Sequence, residues 1–419
     1  MRKALTILTL LVLHHIPPLV LNAAAQPVKI RVATFNLEDV RTSDLHDGTN
    51  ARLRDLARVI ADIRPNIILL NEIAYDMPGG PDVDAATSAG SNAARFAEMH
   101  LAGLEGVPRY RAWMPPVNTG VPTGFDLDND GRVSSTPAPA GDSAAARAYG
   151  NDCHGYGTFP GQYGMALLVD ERLVIDEAGI RTFQRFPWSY MQGAFLPFDP
   201  SGKPWFTGDE PAYVRLSSKT FASVPVKLPN GATVHLLCCH PTPPAFDGPE
   251  QRNRKRNHDE IRLIGEYIDD APFLVDDAER VGGLGRFDSF IVLGDLNADP
   301  RKGDSFKNPI ERHLKGNRRV RFDFTPVSTV SLPGFDPADT ASFKLRVDYV
   351  LPSKDIEIVG GEVWRHIPEG ATKFPSDHFP VYLDVKVPPP ATAPTPDTKP
   401  ATKPATKPAT KPATKPDTP

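Results

Sequence analysis

Short apolar runs recur between residues 29 and 387 of the chain, and several are followed at once by a polar residue. Runs of about four to eight residues that are rich in β-branched or aromatic side chains are typical of buried strands. The segment 50–63 instead has apolar residues at helical spacing, and a second helix is predicted over 250–268. Many strands with few, dispersed helices predict two packed sheets flanked by helices.

One long segment lacks this rhythm. Residues 76–161 are rich in Gly, Pro, Ala and Ser and predict only one helix, near 91–104. Loop-rich segments of such length are usually functional or mobile. Since no linker interrupts the remainder, we predict one large domain over 26–390 with an insertion at about 76–161. The strands expected in this domain cover 29–35, 67–70, 165–169, 219–226, 233–239, 290–293, 345–351 and 379–387.

The two ends of the chain differ from this domain. Residues 1–25 predict a cleaved secretory signal, because Arg2 and Lys3 precede an uncharged apolar run that leads to three alanines. The alternative is an N-terminal membrane anchor, for which the run is short. Residues 391–419 are dominated by an Ala-Thr-Lys-Pro repeat and predict a solvated, disordered tail or a cationic tether to an anionic surface. We therefore expect a secreted or periplasmic protein without stable membrane insertion.

Composition narrows the class of protein. A chain that is 40% hydrophobic and 23% charged is neither a polytopic membrane protein nor a disordered one. The formal net charge is -4, and both ends are basic, so the acidic excess lies in the central domain. An acidic domain binds phosphate poorly unless metal ions or local basic patches intervene. The three cysteines, Cys153, Cys238 and Cys239, allow at most one intrachain disulfide and form no zinc or redox motif.

Polar residues stand at the ends of several predicted strands. Strand ends at one edge of a sandwich converge, so we expect these side chains to share a cleft. Their carboxylates and amides are hard oxygen ligands that suit Mg²⁺ or Mn²⁺, and their two histidines can transfer protons. Such a set fits hydrolysis of a phosphate ester by in-line attack of water. The residues are Asn36, Glu72, His240, Asp295, Asn297, Asp348, Asp377 and His378.

The motifs around these residues, in their order along the chain, resemble the endonuclease/exonuclease/phosphatase superfamily, which has the deoxyribonuclease-I-like fold. The most diagnostic are Gly294-Asp295-Leu296-Asn297 and Ser376-Asp377-His378, and the resemblance runs from about residue 28 to residue 387. It implies a four-layer α/β/β/α sandwich in which two packed mixed sheets are flanked by helices. Phosphate-loop and serine-esterase motifs are absent from the sequence, in agreement with this class.

The resemblance also implies a role for each residue that matches a motif. Glu72 resembles the principal metal ligand, assisted by Asn36 and Asp377. Asp295 resembles the carboxylate that orients or deprotonates the attacking water, and Asn297 a donor to the scissile phosphate.

Two histidines complete the implied machinery. His378, oriented and kept cationic by Asp348, resembles the imidazole that stabilises the transition state. His240 resembles the histidine that protonates the leaving oxygen in members such as deoxyribonuclease I, sphingomyelinases and inositol phosphatases. The alternative for His240 is a turn residue before Pro241.

The insertion contains a second candidate metal site. Asp126, Asp128 and Asp130 alternate before a glycine, as in the first half of an EF-hand calcium loop. The twelfth position is Pro137 rather than glutamate, which excludes a full EF-hand, and Asp142 is a candidate substitute. The alternatives are a Ca²⁺ site and an acidic turn.

Basic residues near the predicted cleft are candidate phosphate contacts. Arg252, Arg254 and Arg256 open the helix that follows His240, and a second basic cluster lies between 301 and 321. The alternative is a solvated helix face.

These features predict a secreted, divalent-metal-dependent phosphoesterase that acts as a monomer, most simply a nuclease that cleaves DNA or RNA. A sphingomyelinase-like or other lipid or sugar phosphodiesterase or phosphatase is the first alternative. A non-catalytic binding module on the same fold is the second, although such a module would not need the full set of polar residues.

Overall fold

The computed structural model describes residues 26–83, 90–138 and 143–390. The predicted signal at 1–25 and the predicted tail at 391–419 therefore lie outside the described residues. None of the helices in these ranges is long and apolar enough to cross a membrane.

The regular elements follow one another in a strand-rich order. Within the described ranges the strands are β1 (Val28–Val40), β2 (Ile67–Ile73), β3 (Tyr110–Trp113), β4 (Met165–Asp170), β5 (Val174–Ile175), β6 (Arg181–Thr182), β7 (Ala222–Lys227), β8 (Thr233–Cys238), β9 (Ser289–Asp295), β10 (Asp348–Pro352), β11 (Glu357–Val363) and β12 (Val381–Val387). The α-helices are α1 (Ala51–Ile63), α2 (Asn92–Phe96), α3 (Ala144–Asn151), α4 (Glu210–Tyr213) and α5 (Arg252–Ile268). Short 3₁₀ helices cover Thr42–Leu45, Glu177–Gly179 and Trp188–Tyr190, and π-helical turns cover Ala97–Leu101 and Ile310–Lys315.

The strands form two sheets with a similar plan. The first has the order β11-β12-β1-β2-β4-β3, and the second has the order β10-β9-β8-β7-β5, with β6 also paired to β7. Each contains one parallel pair, β1 with β2 and β8 with β9, and the pairs around it are antiparallel. The two sheets are therefore mixed, as the sequence predicts.

Three apolar layers hold the sandwich together. Side chains from both sheets, including Val32 and Leu236, pack against each other between the sheets. The outer face of the first sheet packs on α1, and the outer face of the second packs on α5. Because the central strands are covered on both faces, β2 and β9 are almost continuously apolar. The predicted α/β/β/α sandwich is confirmed.

The local differences from the sequence analysis have physical causes. The edge strand β3 lies inside the segment predicted as loop-rich, and β11 has Gly360 and Gly361 in place of an apolar run. The helix expected near 91–104 is an α-helix only to Phe96 and continues as a π-helical turn. The three cysteines are buried and free, so no disulfide forms among them.

Candidate active site

The carboxyl ends of the two parallel pairs meet at one edge of the sandwich. Six side chains from this edge are linked by hydrogen bonds and close charged contacts, and they are hereafter called the strand-end cluster. Parallel strands end at the same edge of a sheet, and the antiparallel neighbours β10 and β12 begin there, which brings residues distant in sequence together. The members of the strand-end cluster are Asn36, Glu72, His240, Asp295, Asp348 and His378.

Asp295 is the centre of the strand-end cluster. Its Oδ2 accepts a hydrogen bond from Asn36 Nδ2 at 3.1 Å and lies 3.6 Å from His240 Nε2 and 3.8 Å from His378 Nε2. Burial alone would raise the pKa of Asp295, but the neighbouring histidines outweigh burial and lower that pKa to about 2. The carboxylate is therefore ionised at all working pH values.

His378 and Asp348 form a buried ion pair. The two residues are joined by a hydrogen bond of 2.9 Å between His378 Nδ1 and Asp348 Oδ2. Burial disfavours the imidazolium, yet the charges of Asp348 and Asp295 outweigh it and raise the pKa of His378 to about 10. With Nδ1 held by Asp348, the other nitrogen of the charged ring faces Asp295 and can donate a proton into the cleft.

His240 has the opposite electrostatic environment. Its burial and the positive charge of Lys219 lower the pKa of His240 to about 4, so the ring is neutral near pH 7. Its Nε2 lies 3.9 Å from Glu72 Oε1. The two histidines of the strand-end cluster therefore differ in charge at neutral pH.

Glu72 and Asp295 fit a divalent cation. Burial raises the pKa of Glu72 and outweighs the charges of His378 and Lys219, which act in the opposite direction. Asn36 Nδ2 donates to both carboxylates, at 3.0 Å to Glu72 and 3.1 Å to Asp295, so a partial positive charge already lies between them. Ligand atoms of Glu72, His240 and Asp295 lie within 4.8 Å of one another. Two hard oxygen ligands suit Mg²⁺ or Mn²⁺.

Backbone geometry explains how these side chains are aimed. Gly294, just before Asp295, has φ +144°, and a Cβ there would lie 1.9 Å from the carbonyl oxygen of Cys239. Only glycine allows strands β8 and β9 to approach so closely at this point. Glu72 and Asn297 have φ of +61° and +52°, a left-handed conformation that is uncommon for residues other than glycine.

The remaining predicted site residues lie beside the strand-end cluster. Asn297 donates its main-chain N–H to Asp295 and its side-chain amide to the carbonyl of Pro241, so it links two loops of the site. Asp377 helps to raise the pKa of His378, and its main-chain N–H donates to Glu38. Among the described residues, the groups that could hold a metal pair Glu72 with His240 and Asp295, not with Asp377. Asn36 turns its Oδ1 to the N–H of Glu38. The metal roles of Asn36 and Asp377 stay predictions.

Two functional residues were missed by the sequence analysis. Lys219 is buried just before β7, and its charge lowers the pKa of both Glu72 and His240. Because β7 is antiparallel to β8, its start lies at the edge where β8 ends, which becomes evident only from the pairing of the two strands. Asn71 accepts the N–H of Asp295 and donates to the carbonyl of Cys239, and so joins the two sheets beneath the site. Its place inside an apolar run conceals this role.

The arginines of α5 have structural partners. Arg256 is buried and donates to the main-chain carbonyls of Leu216, Arg215 and His154. This arrangement disfavours a direct phosphate contact for Arg256.

The other two predicted phosphate contacts lie nearer the surface. Arg252 donates to the carbonyls of Leu127 and Asn151, and Arg254 forms an ion pair of 3.3 Å with Asp304. Their predicted role as phosphate contacts stays a prediction.

The predicted calcium site comprises residues 126–131 and is hereafter called the acidic loop. Its carboxylates accept hydrogen bonds from main-chain N–H groups of the same segment. Asp126 accepts the N–H groups of Asp130 and Gly131, and Asp130 accepts that of Arg132. Ligand atoms of Asp126 and Asp128 lie within 4.8 Å of Asp152, whereas Asp130 is not in that group.

Asp152 was not part of the prediction, and Asp142 lies outside the described residues. Calcium binding stays a prediction.

One aromatic side chain near the site is almost fully exposed. Phe246 is 95% exposed and has φ +59°, on the loop that joins His240 to α5. Its neighbours are fixed, because Asn253 donates to the carbonyl of Ala245 and Asp247 accepts main-chain N–H groups of the first turn of α5. The loop therefore presents this ring on a rigid support.

The chain is similar to solved structures from several organisms. An endonuclease/exonuclease/phosphatase from Beutenbergia cavernae is 19% identical, with 86% of this chain and 72% of that chain covered and a TM-score of 0.48. A family protein from Leptotrichia buccalis is 15% identical, with 85% and 99% covered and a TM-score of 0.44. The human Nocturnin catalytic domain with bound sulfate is 12% identical, with 87% and 94% covered and a TM-score of 0.44.

No curated protein matches the chain significantly. The sequence model of the Endonuclease/Exonuclease/phosphatase family matches residues 33–378, a range that includes every member of the strand-end cluster. The resemblance found in the sequence is thereby confirmed, and the chain belongs to the endonuclease/exonuclease/phosphatase family.

Proposed function

We propose that the strand-end cluster hydrolyses phosphodiester bonds of DNA or RNA with Mg²⁺ or Mn²⁺ as cofactor. Family membership indicates a metal-dependent phosphoester hydrolase of nuclease or phosphatase kind. The observation that carries the proposal is the convergence of Asn36, His240 and His378 on one carboxylate oxygen of Asp295. Such a focus gives one position for a metal-bound phosphate and its attacking water.

The residues divide the work according to their charge. A divalent cation held by Glu72 and Asp295 would polarise a phosphoryl oxygen. Asp295, with a pKa of about 2, is a weak base, so orienting the water is its favoured role. His378, with a pKa of about 10, donates its Nε2–H to the oxygen on which negative charge develops.

The low pKa of His240 bears on its predicted role. A neutral ring with a pKa of about 4 is a poor general acid at pH 7, so protonation of the leaving oxygen by His240 is not favoured. We propose instead that His240 holds the carboxylates of Glu72 and Asp295 at their mutual distance. Lys219 is also buried at this edge, where burial lowers its pKa and the nearby carboxylates, including Glu72 and Asp295, oppose that shift.

A substrate panel tests the proposal. Purified protein would be incubated with plasmid, RNA, sphingomyelin vesicles and bis(4-nitrophenyl) phosphate, each with Mg²⁺, Mn²⁺ or Ca²⁺. We expect cleavage of nucleic acid with Mg²⁺ or Mn²⁺ and none with a chelator. The variant Asp295→Asn, purified in the same way, controls for contaminating nuclease. Lipid turnover without nucleic-acid cleavage would contradict the nuclease assignment, and no turnover of any substrate would favour the binding-module alternative.

Phe246 favours a second candidate, a lipid phosphodiesterase. A rigidly held aromatic ring that is 95% exposed can enter the headgroup region of a bilayer. In that case Phe246→Ser should weaken co-sedimentation with sphingomyelin vesicles and leave cleavage of bis(4-nitrophenyl) phosphate unchanged. Equal co-sedimentation of both proteins would remove the support for this candidate.

We also propose that the protein is exported and that residues 1–25 are removed. We propose further that the mature protein is a monomer. The support is the charged start, apolar run and small residues of that segment. Mass spectrometry of protein recovered from medium or periplasm should find a mature chain that begins at Gln26. A mature chain that retains Met1 would contradict cleavage and favour the membrane-anchor alternative. Size-exclusion chromatography with light scattering tests the monomer.

A further inference from the structure

We propose that His258 and His313 form a second metal site, which binds a transition-metal ion such as Zn²⁺ through their imidazole nitrogens. The site is separate from the strand-end cluster and does not depend on the proposed hydrolysis. Nε2 of His258 lies 3.2 Å from Nε2 of His313. His258 is buried on α5, whereas His313 is partly exposed on the π-helical turn Ile310–Lys315. One member of the pair is therefore accessible from solvent.

The spacing of the two nitrogens is close to that of two ligands of one ion. Zn²⁺ binds imidazole nitrogens at about 2.0–2.1 Å in a tetrahedral arrangement, which places two such nitrogens about 3.3–3.4 Å apart. The two ring centroids are 4.9 Å apart and the ring planes are inclined by 85°, so the rings meet at an angle and not head-on. A small movement of the side chains is therefore sufficient to admit an ion, whose remaining coordination positions water would fill.

The orientation of His258 is fixed by a carboxylate. Its Nδ1 lies 3.2 Å from Asp259 Oδ1, and Asp259 is itself held because its Oδ2 accepts hydrogen bonds from Trp188 Nε1 at 2.8 Å and from the N–H of Phe195 at 2.7 Å. A carboxylate on one imidazole nitrogen places the proton there and leaves the lone pair on the other nitrogen. Metal-binding histidines commonly have such a partner.

The turn that carries His313 is held against α5. A Cβ at Gly265 would lie 2.9 Å from the carbonyl oxygen of His313, so the glycine allows this close approach. Asn317 Nδ2 donates to Asp269 Oδ1 at 3.0 Å, and Arg319 donates to the carbonyl of Ile268. The π-helical form of the turn is uncommon and occurs frequently at functional sites. The separation of the two histidines is thus fixed by the contacts of their elements.

The charge of His313 is compatible with a metal ligand. Burial lowers the pKa of His313 to about 4, and the charges of His258 and Arg262 act in the same direction, so the ring is neutral near pH 7. Metals bind the neutral imidazole. Arg262 is itself paired with Asp259 and Glu266, at 3.7 Å from each. On metal binding the proton between the two Nε2 atoms moves to Nδ1 of His313, and the charge of the ligands does not change.

The donor atoms distinguish this site from the strand-end cluster. Imidazole nitrogens suit Zn²⁺, Cu²⁺ and Ni²⁺, whereas carboxylate oxygens such as those of Glu72 and Asp295 suit Mg²⁺ and Mn²⁺. Excess Mg²⁺ should therefore compete with Zn²⁺ at the carboxylates and leave the histidine pair available.

The test measures Zn²⁺ binding by isothermal titration calorimetry at pH 7, in excess Mg²⁺ and with protein that has no histidine tag. All variants contain Glu72→Gln, which removes the principal predicted metal ligand of the strand-end cluster. Glu72→Gln alone should bind one more Zn²⁺ per chain than Glu72→Gln/His313→Gln. Loss of a second-shell partner typically costs 10–100-fold in metal affinity, so loss of the ligand His313 should weaken binding at this site by at least about that factor.

Two further variants complete the comparison. His46→Gln is the matched control, because His46 is an exposed histidine outside the pair, and it should keep the full Zn²⁺ binding. His258→Gln should show the same loss as His313→Gln, with circular dichroism to confirm that it is folded.

Equal Zn²⁺ binding with and without His313 would overturn the proposal. If Glu72→Gln binds no Zn²⁺, the pair is only a hydrogen bond between α5 and the turn. A loss in His46→Gln as large as that in His313→Gln would show unspecific binding by surface histidines, which also contradicts a built site. In the wild-type background, His313→Gln should cleave bis(4-nitrophenyl) phosphate with Mg²⁺ as fast as the wild type, so a failure of the proposed hydrolysis and a failure of this site are separate results.

Discussion

The strand-end cluster and the acidic loop both bring carboxylates together, but the carboxylates have different contact partners in the two regions. In the strand-end cluster, Glu72 and Asp295 come from different sheets and contact side chains that also come from other strands. In the acidic loop, Asp126 and Asp130 accept N–H groups from within a few residues of themselves. Proximity of acidic residues therefore does not by itself indicate a cation.

The two regions also differ in what their folding requires. A loop that satisfies its carboxylates with its own backbone is stable without a metal, as turns rich in Asp commonly are. The strand-end cluster keeps a buried Glu72 whose pKa is raised by burial, so a cation would relieve an unfavourable charge. We expect changes in the strand-end cluster to have large effects on activity, on metal binding or on the pH dependence of stability, and equivalent changes in the acidic loop to have small ones.

The largest expected effect is the loss of activity when His378 is replaced. His378→Ala removes the positive charge that faces Asp295 and should lower kcat by about 10²- to 10⁴-fold. Asp126→Ala, a change of similar size in the acidic loop, should retain nearly full activity. Initial rates with bis(4-nitrophenyl) phosphate and plasmid measure both, and circular dichroism confirms that each variant is folded. Comparable losses of activity in His378→Ala and Asp126→Ala would contradict the expected difference between the two regions.

The second effect is on stability as a function of pH. The pKa of His378 is raised to about 10 in the folded protein, from an ordinary value of about 6.5. The positive charge of His378 therefore contributes its full stability below pH 6.5, and this contribution is lost as the pH rises through 10. Burial raises the pKa of Asp348 to about 6, so both partners are ionised only above that pH. Breaking a buried ion pair costs about 3–5 kcal/mol, so His378→Gln should be much less stable than the wild type at pH 7.

Chelated wild-type and variant proteins are compared by urea unfolding at pH 7, 8.5 and 10. The difference between wild type and His378→Gln should shrink steadily towards pH 10. The difference between wild type and Asp126→Asn should show no such trend, because Asp126 accepts main-chain N–H groups of its own loop and does not contact the His378–Asp348 pair. A His378→Gln difference that grows with pH would refute the assignment of a cationic ring.

The sequence predicts the strand-end cluster well because its signals are local. An apolar run followed by a polar residue marks a strand end, and Asp295 and His378 lie in short motifs that depend on few neighbours. Both the fold class and the family follow from these signals, and both are confirmed.

Features that depend on packing are less visible in the sequence. Lys219 acts in the site because β7 runs antiparallel to β8, and Arg256 is buried because α5 covers three main-chain carbonyls. In the sequence, Asn71 is a single polar residue within an apolar run, although in the structure its side chain joins the two sheets. Each role requires knowledge of which strands and loops are neighbours, and that information is not carried by the residue's own segment.

The third effect is stabilisation by metal. A ligand present at 100 times its Kd stabilises the folded state by about 2.7 kcal/mol, and Mg²⁺ or Mn²⁺ should raise the Tm of the wild type accordingly. Glu72→Gln should abolish most of this shift, and without metal it should melt no lower than the wild type, because it removes a buried charge. Asp128→Asn should keep the full Mg²⁺ shift. Loss of the shift in Asp128→Asn alone would relocate the metal to the acidic loop.

The smallest effect tests the calcium prediction for the acidic loop. Extracellular calcium modules have Kd values of about 10⁻⁴–10⁻³ M, so 10 mM Ca²⁺, roughly ten times the weaker value, would stabilise the fold by about 1.4 kcal/mol. For a domain of this size, with an unfolding entropy of about 2.1 cal/mol/K per residue, such a change raises Tm by only about 2 °C. The measurement is therefore made in Glu72→Gln, where Ca²⁺ has lost its principal ligand in the strand-end cluster. Adding Asp128→Ala should remove the remaining shift, since Asp128 lies with Asp126 and Asp152. A melting curve of Glu72→Gln that Ca²⁺ does not move would identify residues 126–131 as an acidic turn whose backbone hydrogen bonds are sufficient to fold it.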